Sequence, residues 1–330
     1  MRKELRYIIS LCFGLMLICT CAVAQDHNLN NHNLVPFSLN PAQAGNANAY
    51  RFALDMRQQW PTLDNNYTTV RLSYDQNFYK RVCSLGFYYA YDDQAHGVYR
   101  SNEFALIYSH TFEVSELSFL RLGLQGSYFL NYFGFDKLEY GDQYDQSNFK
   151  VDPNTIEDFE HNTRGLFDFS VGATFYLENT FSIGASVYHL AEPANGFVDK
   201  SSNSLNRKYV FHANYMHDLQ YTNGLWGRKD LSGTYLFINA NYQRQADFQK
   251  AYLGGGVFLS PVVLGVAEKC NLESVYVTSF MVGCTFNGLQ AYYIFDLPTY
   301  ERQNGNWSHE IALVYIIKKH ERFPCPVVYW

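Results

Sequence analysis

The stretch that decides the fold is Phe167-Asp168-Phe169-Ser170-Val171-Gly172-Ala173-Thr174-Phe175-Tyr176-Leu177, followed at once by Phe181-Ser182-Ile183-Gly184-Ala185-Ser186-Val187. In the first run Phe167, Phe169, Val171, Ala173, Phe175 and Leu177 share one parity, and Asp168, Ser170, Gly172, Thr174 and Tyr176 share the other. Successive side chains of a strand point to opposite faces, so a period of two means a strand with one apolar and one polar face. The short turn at Asn179 joins the two runs as an antiparallel hairpin.

The same pattern recurs outward in both directions. Upstream it covers Arg51–Arg57, Thr69–Asp75, Leu85–Tyr91, Phe104–Phe112 and Phe119–Tyr128. Downstream it covers Tyr209–Met216, Tyr235–Gln243, Lys250–Phe258, Pro261–Val266, Ser274–Thr285, Leu289–Asp296 and Ser308–Ile317. With the opening hairpin this makes fourteen segments. No internal repeat or proline-rich linker marks a second domain.

Composition narrows what such a meander can be. Of 330 residues 18% are aromatic and only 17% charged, with a net charge of -6. So much aromatic surface must be buried somewhere, which excludes disorder. Phosphate binding needs clustered basic charge, so a nucleic-acid partner is not expected. A soluble sandwich would also alternate, but its polar face would carry abundant Lys and Glu. Here the polar face is Gly, Ser, Thr, Asn and Tyr. Aromatics gather near strand ends, as in Tyr88-Tyr89-Ala90-Tyr91 and Tyr292-Tyr293. This patterning predicts an all-β, transmembrane antiparallel β-barrel of about 14 strands, with outer-membrane lipids against its apolar face. No mature stretch reaches the length of a membrane-spanning helix.

The chain ends read differently. Arg2, Lys3 and Arg6, the apolar run Ile8–Ile18 and the pattern Ala22-Val23-Ala24 form a signal peptide over 1–24. The expected organisation is then a periplasmic lead-in over 25–48, the barrel over 49–317 and a periplasmic tail over 318–330. An even number of strands returns both termini to one side, which in outer-membrane barrels is periplasmic. Long connections, Tyr132–Arg164, Ala191–Arg207 and Pro298–Trp307, contrast with tight turns such as Asn287-Gly288.

Candidate chemistry is sparse. Cys83, Cys270, Cys284 and Cys325 remain after the leader, none in a C-x-x-C pair, and their pairing is open. His27 and His32 have no closed ligand set. Asp142, Asp145, Asp152 and Asp158 miss the spacing of a calcium loop. His189 and Ser186 are three apart on a strand and so face opposite sides, with no third member for a triad. No catalytic residue, cofactor or metal is expected. Arg51, Arg57, Arg71 and Arg121 share the polar parity and are expected to pair with carboxylates such as Asp55 and Asp75.

Several stretches carry a family resemblance. Phe37-Ser38-Leu39-Asn40-Pro41-Ala42-Gln43-Ala44-Gly45 is followed by Met56-Arg57-Gln58-Gln59-Trp60-Pro61. Further on come Leu138-Glu139-Tyr140-Gly141-Asp142-Gln143, then Val187-Tyr188-His189-Leu190-Ala191-Glu192-Pro193-Ala194-Asn195, then terminal Pro324-Cys325-Pro326. In this order they resemble the PorP/SprF family of type IX secretion outer-membrane proteins, along the whole mature chain. Gln43 departs from it, standing where the family more often has an aromatic. The resemblance implies an outer-membrane component, in a diderm bacterium, of the type IX secretion and gliding machinery. It implies support for export or surface attachment of large adhesin-like cargo by protein docking, and a link to a periplasmic ring lipoprotein and associated secretion subunits. Signature or docking candidates are Asn40, Pro41, Ala44, Gly45, Arg57, Trp60, Pro61, His189, Pro193, Pro324, Cys325 and Pro326. The alternative is a passive outer-membrane porin or small-solute channel, and whether the lumen is open is not legible from these residues.

Overall fold

A chain of two-faced strands joined by hairpins leaves no bare edge only if its sheet curls until the first strand meets the last. The structure, a computed structural model, describes residues 29, 32, 34–47, 49–63, 65–78, 82–138, 143–145, 150–151, 162–177, 180–197, 204–219, 234–271, 276–299 and 306–318. Fourteen strands close into one barrel. They are β1 (Ala49–Gln59), β2 (Tyr67–Phe78), β3 (Cys83–Gln94), β4 (Tyr99–Ser115), β5 (Ser118–Phe133), β8 (Thr163–Leu177) and β9 (Phe181–Tyr188), then β10 (Lys208–Asp218), β11 (Thr234–Gln245), β12 (Phe248–Leu259), β13 (Val262–Cys270), β14 (Tyr276–Phe286), β15 (Leu289–Pro298) and β16 (Ser308–Lys318). The two-residue strands β6 (Tyr144–Asp145) and β7 (Lys150–Val151) pair with each other in the connection before β8 and stay out of the wall. Each wall strand pairs with its sequence neighbours, and β1 pairs with β16 from Ala49↔Lys318 to Gln59↔Ser308.

Burial along the strands is inverted relative to a soluble protein. On β1 the charged Arg51, Asp55 and Arg57 are buried while Phe52, Leu54 and Met56 between them are exposed. Leu106, Phe167 and Phe286 are 70%, 72% and 74% exposed. A sandwich would hide that parity in its core; a wall facing lipid must display it. Register follows from the same requirement. Asp55 lies opposite Arg71 and Arg51 opposite Asp75 in β1–β2, and Arg57 lies opposite Glu310 in β1–β16. A slip of one residue would turn these charges into lipid.

The rim holding Ala49 and Lys318 is joined by connections 79–82, 116–117, 178–180, 260–261 and 287–288. Asn287 and Gly288 there have φ of 47° and 83°, the left-handed pair that a two-residue hairpin turn needs. The three long expected connections lie at the opposite rim. One long connection, 219–233, breaks the expected asymmetry by lying at the terminal rim, between β10 and β11.

The lead-in departs from expectation. Residues 34–47 do not lie at the mouth; they run inside the barrel, with Val35, Phe37, Asn40, Ala42 and Ala44 at 0% exposure. Two short 3-10 turns, Pro36–Ser38 and Pro41–Gln43, each begin with proline, whose fixed φ and missing donor suit that position. Such compact turns leave small and apolar side chains to pack on the wall, which is why the segment is held inside.

This arrangement makes a test of the two faces. Leu124 lies midway along β5 on the outer face, 59% exposed. Leu124→Arg should lower unfolding free energy in lipid vesicles by about 2–4 kcal/mol, while Leu124→Phe should change it little. Thr174, on the inner face of β8, is 0% exposed. Thr174→Arg should therefore also be damaging, through overpacking rather than through lipid. Urea titration in vesicles reads both.

Candidate functional site: a lumen closed by two segments

The lumen is shaped by glycines on the inner parity of the wall. Gly123 of β5 and Gly172 of β8 are direct cross-strand partners. A Cβ on Gly123 would overlap Pro41 and Ala42, and one on Gly172 would overlap the Asn40 side chain. The pair thus forms a floor on which Asn40-Pro41-Ala42 lies. Asn40 caps its turn by accepting from the Ala42 amide through Oδ1 at 2.9 Å. Its Nδ2 donates to the carbonyls of Ala173 and Ala185 at 2.9 and 3.0 Å, and lies 3.1 Å from His212 Nε2. Gln43 Nε2 lies 2.9 Å from the same ring nitrogen.

The segment is held at both ends of this seat. Ser186 Oγ donates to Leu39 O at 2.6 Å, and Tyr188 OH donates to Ser38 O at 3.2 Å. Toward the terminal rim, Ala44 O accepts from Arg121 Nη2 and from Ser109 Oγ. Gly45 has φ +69° and donates its amide to Asp75 Oδ2 at 2.6 Å. Arg51 grips the same carboxylate through Nε and Nη2 at 2.7 and 2.8 Å. Asp75 therefore ties β1, β2 and the segment together.

A second segment lies against β5 and β8 at the opposite rim. β9 ends at Tyr188, and His189 has φ 59°, so strand parity stops there. His189 is consequently buried on the same side as Ser186, not opposite it as the strand period predicts. The two do not form a dyad: Ser186 serves Leu39, and His189 Nδ1 lies 2.9 Å from Asp168 Oδ2. Arg164 donates to the carbonyls of Ala194 and Gly196, and Asn131 donates to Asn195. Pro193 O accepts from the Leu205 amide. Phe197 packs 5.7 Å from Phe133. Between the two segments is a void of about 50 Å³ lined by Leu29, His32, Leu39, Tyr188, His189 and Lys208 among others. That is room for a few waters.

The remaining charges are buried and paired. Arg71 meets Asp55 at 2.9 Å, and Arg57 meets Asp296 and Glu310 at 2.7 and 3.0 Å. Lys269 takes the other Asp296 oxygen at 2.7 Å. Arg51, Arg57 and Arg71 thus pair as expected, whereas Arg121 goes to Ala44 O, Ser84 and Ser109.

Of the sequence candidates, Asn40, Pro41, Ala44 and Gly45 come together in the inner segment, and His189 and Pro193 in the second segment. Trp60 and Pro61 stand apart at the opposite rim, where Trp60 donates its amide to Trp307 O and packs 5.1 Å from Tyr67. Pro324, Cys325 and Pro326 lie outside the described residues, as do His27, Asp142, Asp152 and Asp158. Cys83, Cys270 and Cys284 are free thiols. Among the described residues no three His, Cys, Asp or Glu side chains are grouped to hold a metal. Reading by motif missed Gly123, Gly172 and Asp168. Glycines on the inner parity of long strands were the one available signal.

Arg57 gives the sharpest test of the charge network. Arg57→Ala removes a buried cation that pairs with both Glu310 and Asp296, and should cost about 3–5 kcal/mol. Adding Glu310→Gln to that variant should recover part of the loss in the same unfolding titration.

Similar solved structures include Omp33 of Acinetobacter baumannii, at 9% identity and TM-score 0.44, covering 82% of this chain and 99% of that one. The Pseudomonas putida toluene transporter TodX is 9% identical with TM-score 0.45, covering 90% and 96%. The CymD monoaromatic hydrocarbon channel is 12% identical with TM-score 0.46, covering 91% and 96%. These likenesses extend no further than general barrel form. Among curated proteins no relative matches the chain. The family profile described as type IX secretion system membrane protein PorP/SprF matches residues 22–315. With nearly the whole barrel inside that match, the chain belongs to the PorP/SprF family of type IX secretion membrane proteins and is an outer-membrane β-barrel.

Proposed function

We propose that this barrel serves type IX secretion as a closed platform, supporting export or surface attachment of large adhesin-like cargo by docking other proteins and not by conducting solutes. The observation that carries this reading is the lumen: residues 34–47 run through it as hydrogen-bonded, buried chain, and the segment after β9 is hydrogen-bonded to the wall at the opposite rim. A passive porin needs a wide aqueous path lined by solvated side chains. Here the inner charges are paired with each other and with main chain.

In this reading the work is done at the two rims. The rim holding Ala49 and Lys318 faces the periplasm, following the rule for even-stranded barrels. Because 34–47 are taken up inside, periplasmic docking to the ring lipoprotein and its associated subunits falls to the tail 318–330, with Pro324, Cys325 and Pro326. The opposite rim, with Trp60, Pro61 and the connection carrying Pro193, meets cargo at the cell surface. No chemistry on a substrate is assigned to any residue.

Two measurements test the reading. The purified natural protein in planar bilayers should give no steady conductance, and its loss from cells should abolish cargo export without altering small-solute uptake. Sustained open-channel steps, with export intact in the deletion strain, would support the porin instead. Truncation after Lys319 should leave a folded, heat-modifiable barrel in the outer membrane yet lose partner capture and export. Full export by that truncated chain would remove the tail from the docking surface.

A further inference from the structure

We infer that the inner wall made by β2, β3, β4, β5, β8, β9 and β10 is a peptide-recognition site that reads Asn-Pro-Ala-x-Ala-Gly, with residues 34–47 as its tethered resident ligand. The inference rests on the closed-lumen reading and adds what the closing site recognises.

Each position of the motif meets a built feature of the wall. The asparagine is read by two strand carbonyls, Ala173 O and Ala185 O, which belong to residues directly opposite each other in β8–β9. Its Oδ1 is already used by the Ala42 amide, so the side-chain amide is fixed in orientation. Aspartate would set a second oxygen against those carbonyls. Proline and the first alanine lie on the Gly123–Gly172 floor, which any side chain on the wall would raise into them. The second alanine is 0% exposed, and its carbonyl is taken by Arg121 and Ser109. The final glycine has a left-handed φ, presents its amide to Asp75, and leaves no room for a Cβ beside Ser84.

None of these contacts uses the covalent link to β1. A free peptide of the same sequence meets the same donors, acceptors and floor. The resident segment holds the site because tethering gives it an effective concentration of about millimolar, not because the wall is specific to its own chain. The ligand class is therefore a short peptide with Asn-Pro followed by small residues and a glycine in the sixth position.

The test keeps the full chain and weakens the ligand while leaving the seat intact. A variant with Asn40→Ala and Gly45→Val, shown to be folded by heat-modifiable gel mobility, should conduct in planar bilayers. A synthetic peptide of residues 34–47 at millimolar concentration should then cut its open fraction by about tenfold or more. The same peptide carrying both substitutions should leave it open. Gly123→Leu should conduct whether or not peptide is present. Gly126→Leu should stay closed, because an added Cβ there would come no nearer than 3.9 Å to its neighbour, the ring of Phe169. A double variant that stays closed, or one that opens and ignores the natural peptide, overturns the inference. Should the double variant not fold, Ala42→Cys in the otherwise natural chain replaces it. Maleimide labelling there should be slow, should rise with added Asn40→Ala, and should fall again with peptide; an unchanged rate overturns the inference equally. Conductance by the natural protein would instead strike the closed-platform reading, so the two failures are distinct.

Discussion

Fourteen strands enclose more space than their own side chains can fill. Eight strands leave an interior that side chains just pack, and sixteen or more leave an aqueous channel. A barrel between these sizes must hold water or chain. This one holds chain, and the rest of the structure follows from that choice. Once residues 34–47 lie inside, each buried polar group on the inner parity needs a protein partner, because an unpartnered one costs the full desolvation of that group. The wall answers with main-chain hooks at Ala173 and Ala185, hydroxyls at Ser109 and Ser186, and the guanidinium of Arg121.

The charges obey the same constraint. Buried ion pairs are weak sources of net stability but strongly penalise any arrangement that separates them. Here the partners are direct neighbours across the register: Asp55 with Arg71, Arg51 with Asp75, Arg57 with Glu310. The pairs therefore specify alignment around β1 on both sides. Asp75 extends this to the inner segment by accepting from both Arg51 and the Gly45 amide. One carboxylate thus couples the register of the wall to the position of the chain that fills it.

The sequence made the wall legible and the filling illegible, for physical reasons. Lipid on one face imposes a strict period of two, so runs such as Phe167–Leu177 declare both their strand and their outward parity. Arg51 and Asp75 could be foreseen as inner partners from parity alone. The segment Phe37–Gly45 has no period, because its burial comes from non-local packing on strands around the wall and not from a face of its own. Its proline, alanines and glycine resemble an ordinary loop, and only the wall reveals that Pro41, Ala42 and Gly45 are sized to a seat. His189 was misread for a local reason: one left-handed φ after Tyr188 ends the alternation on which the reading of Ser186 and His189 depended. The connection 219–233 shows the same limit, since its length says nothing about the rim to which it belongs.

Filling and closure are also linked in the chain itself. Only Asn48 separates the inner segment from β1, and β1 is the strand that seals the barrel against β16. Polar groups of β2, β3, β4, β5, β8, β9 and β10 hold the segment, and its apolar residues Leu34, Val35 and Phe37 share one buried core with Phe258, Val263, Tyr292 and Val314 on the rest of the wall. Seating the segment therefore ties both halves of the wall together, and Asp75 holds β1 against β2 in the register that β16 must match.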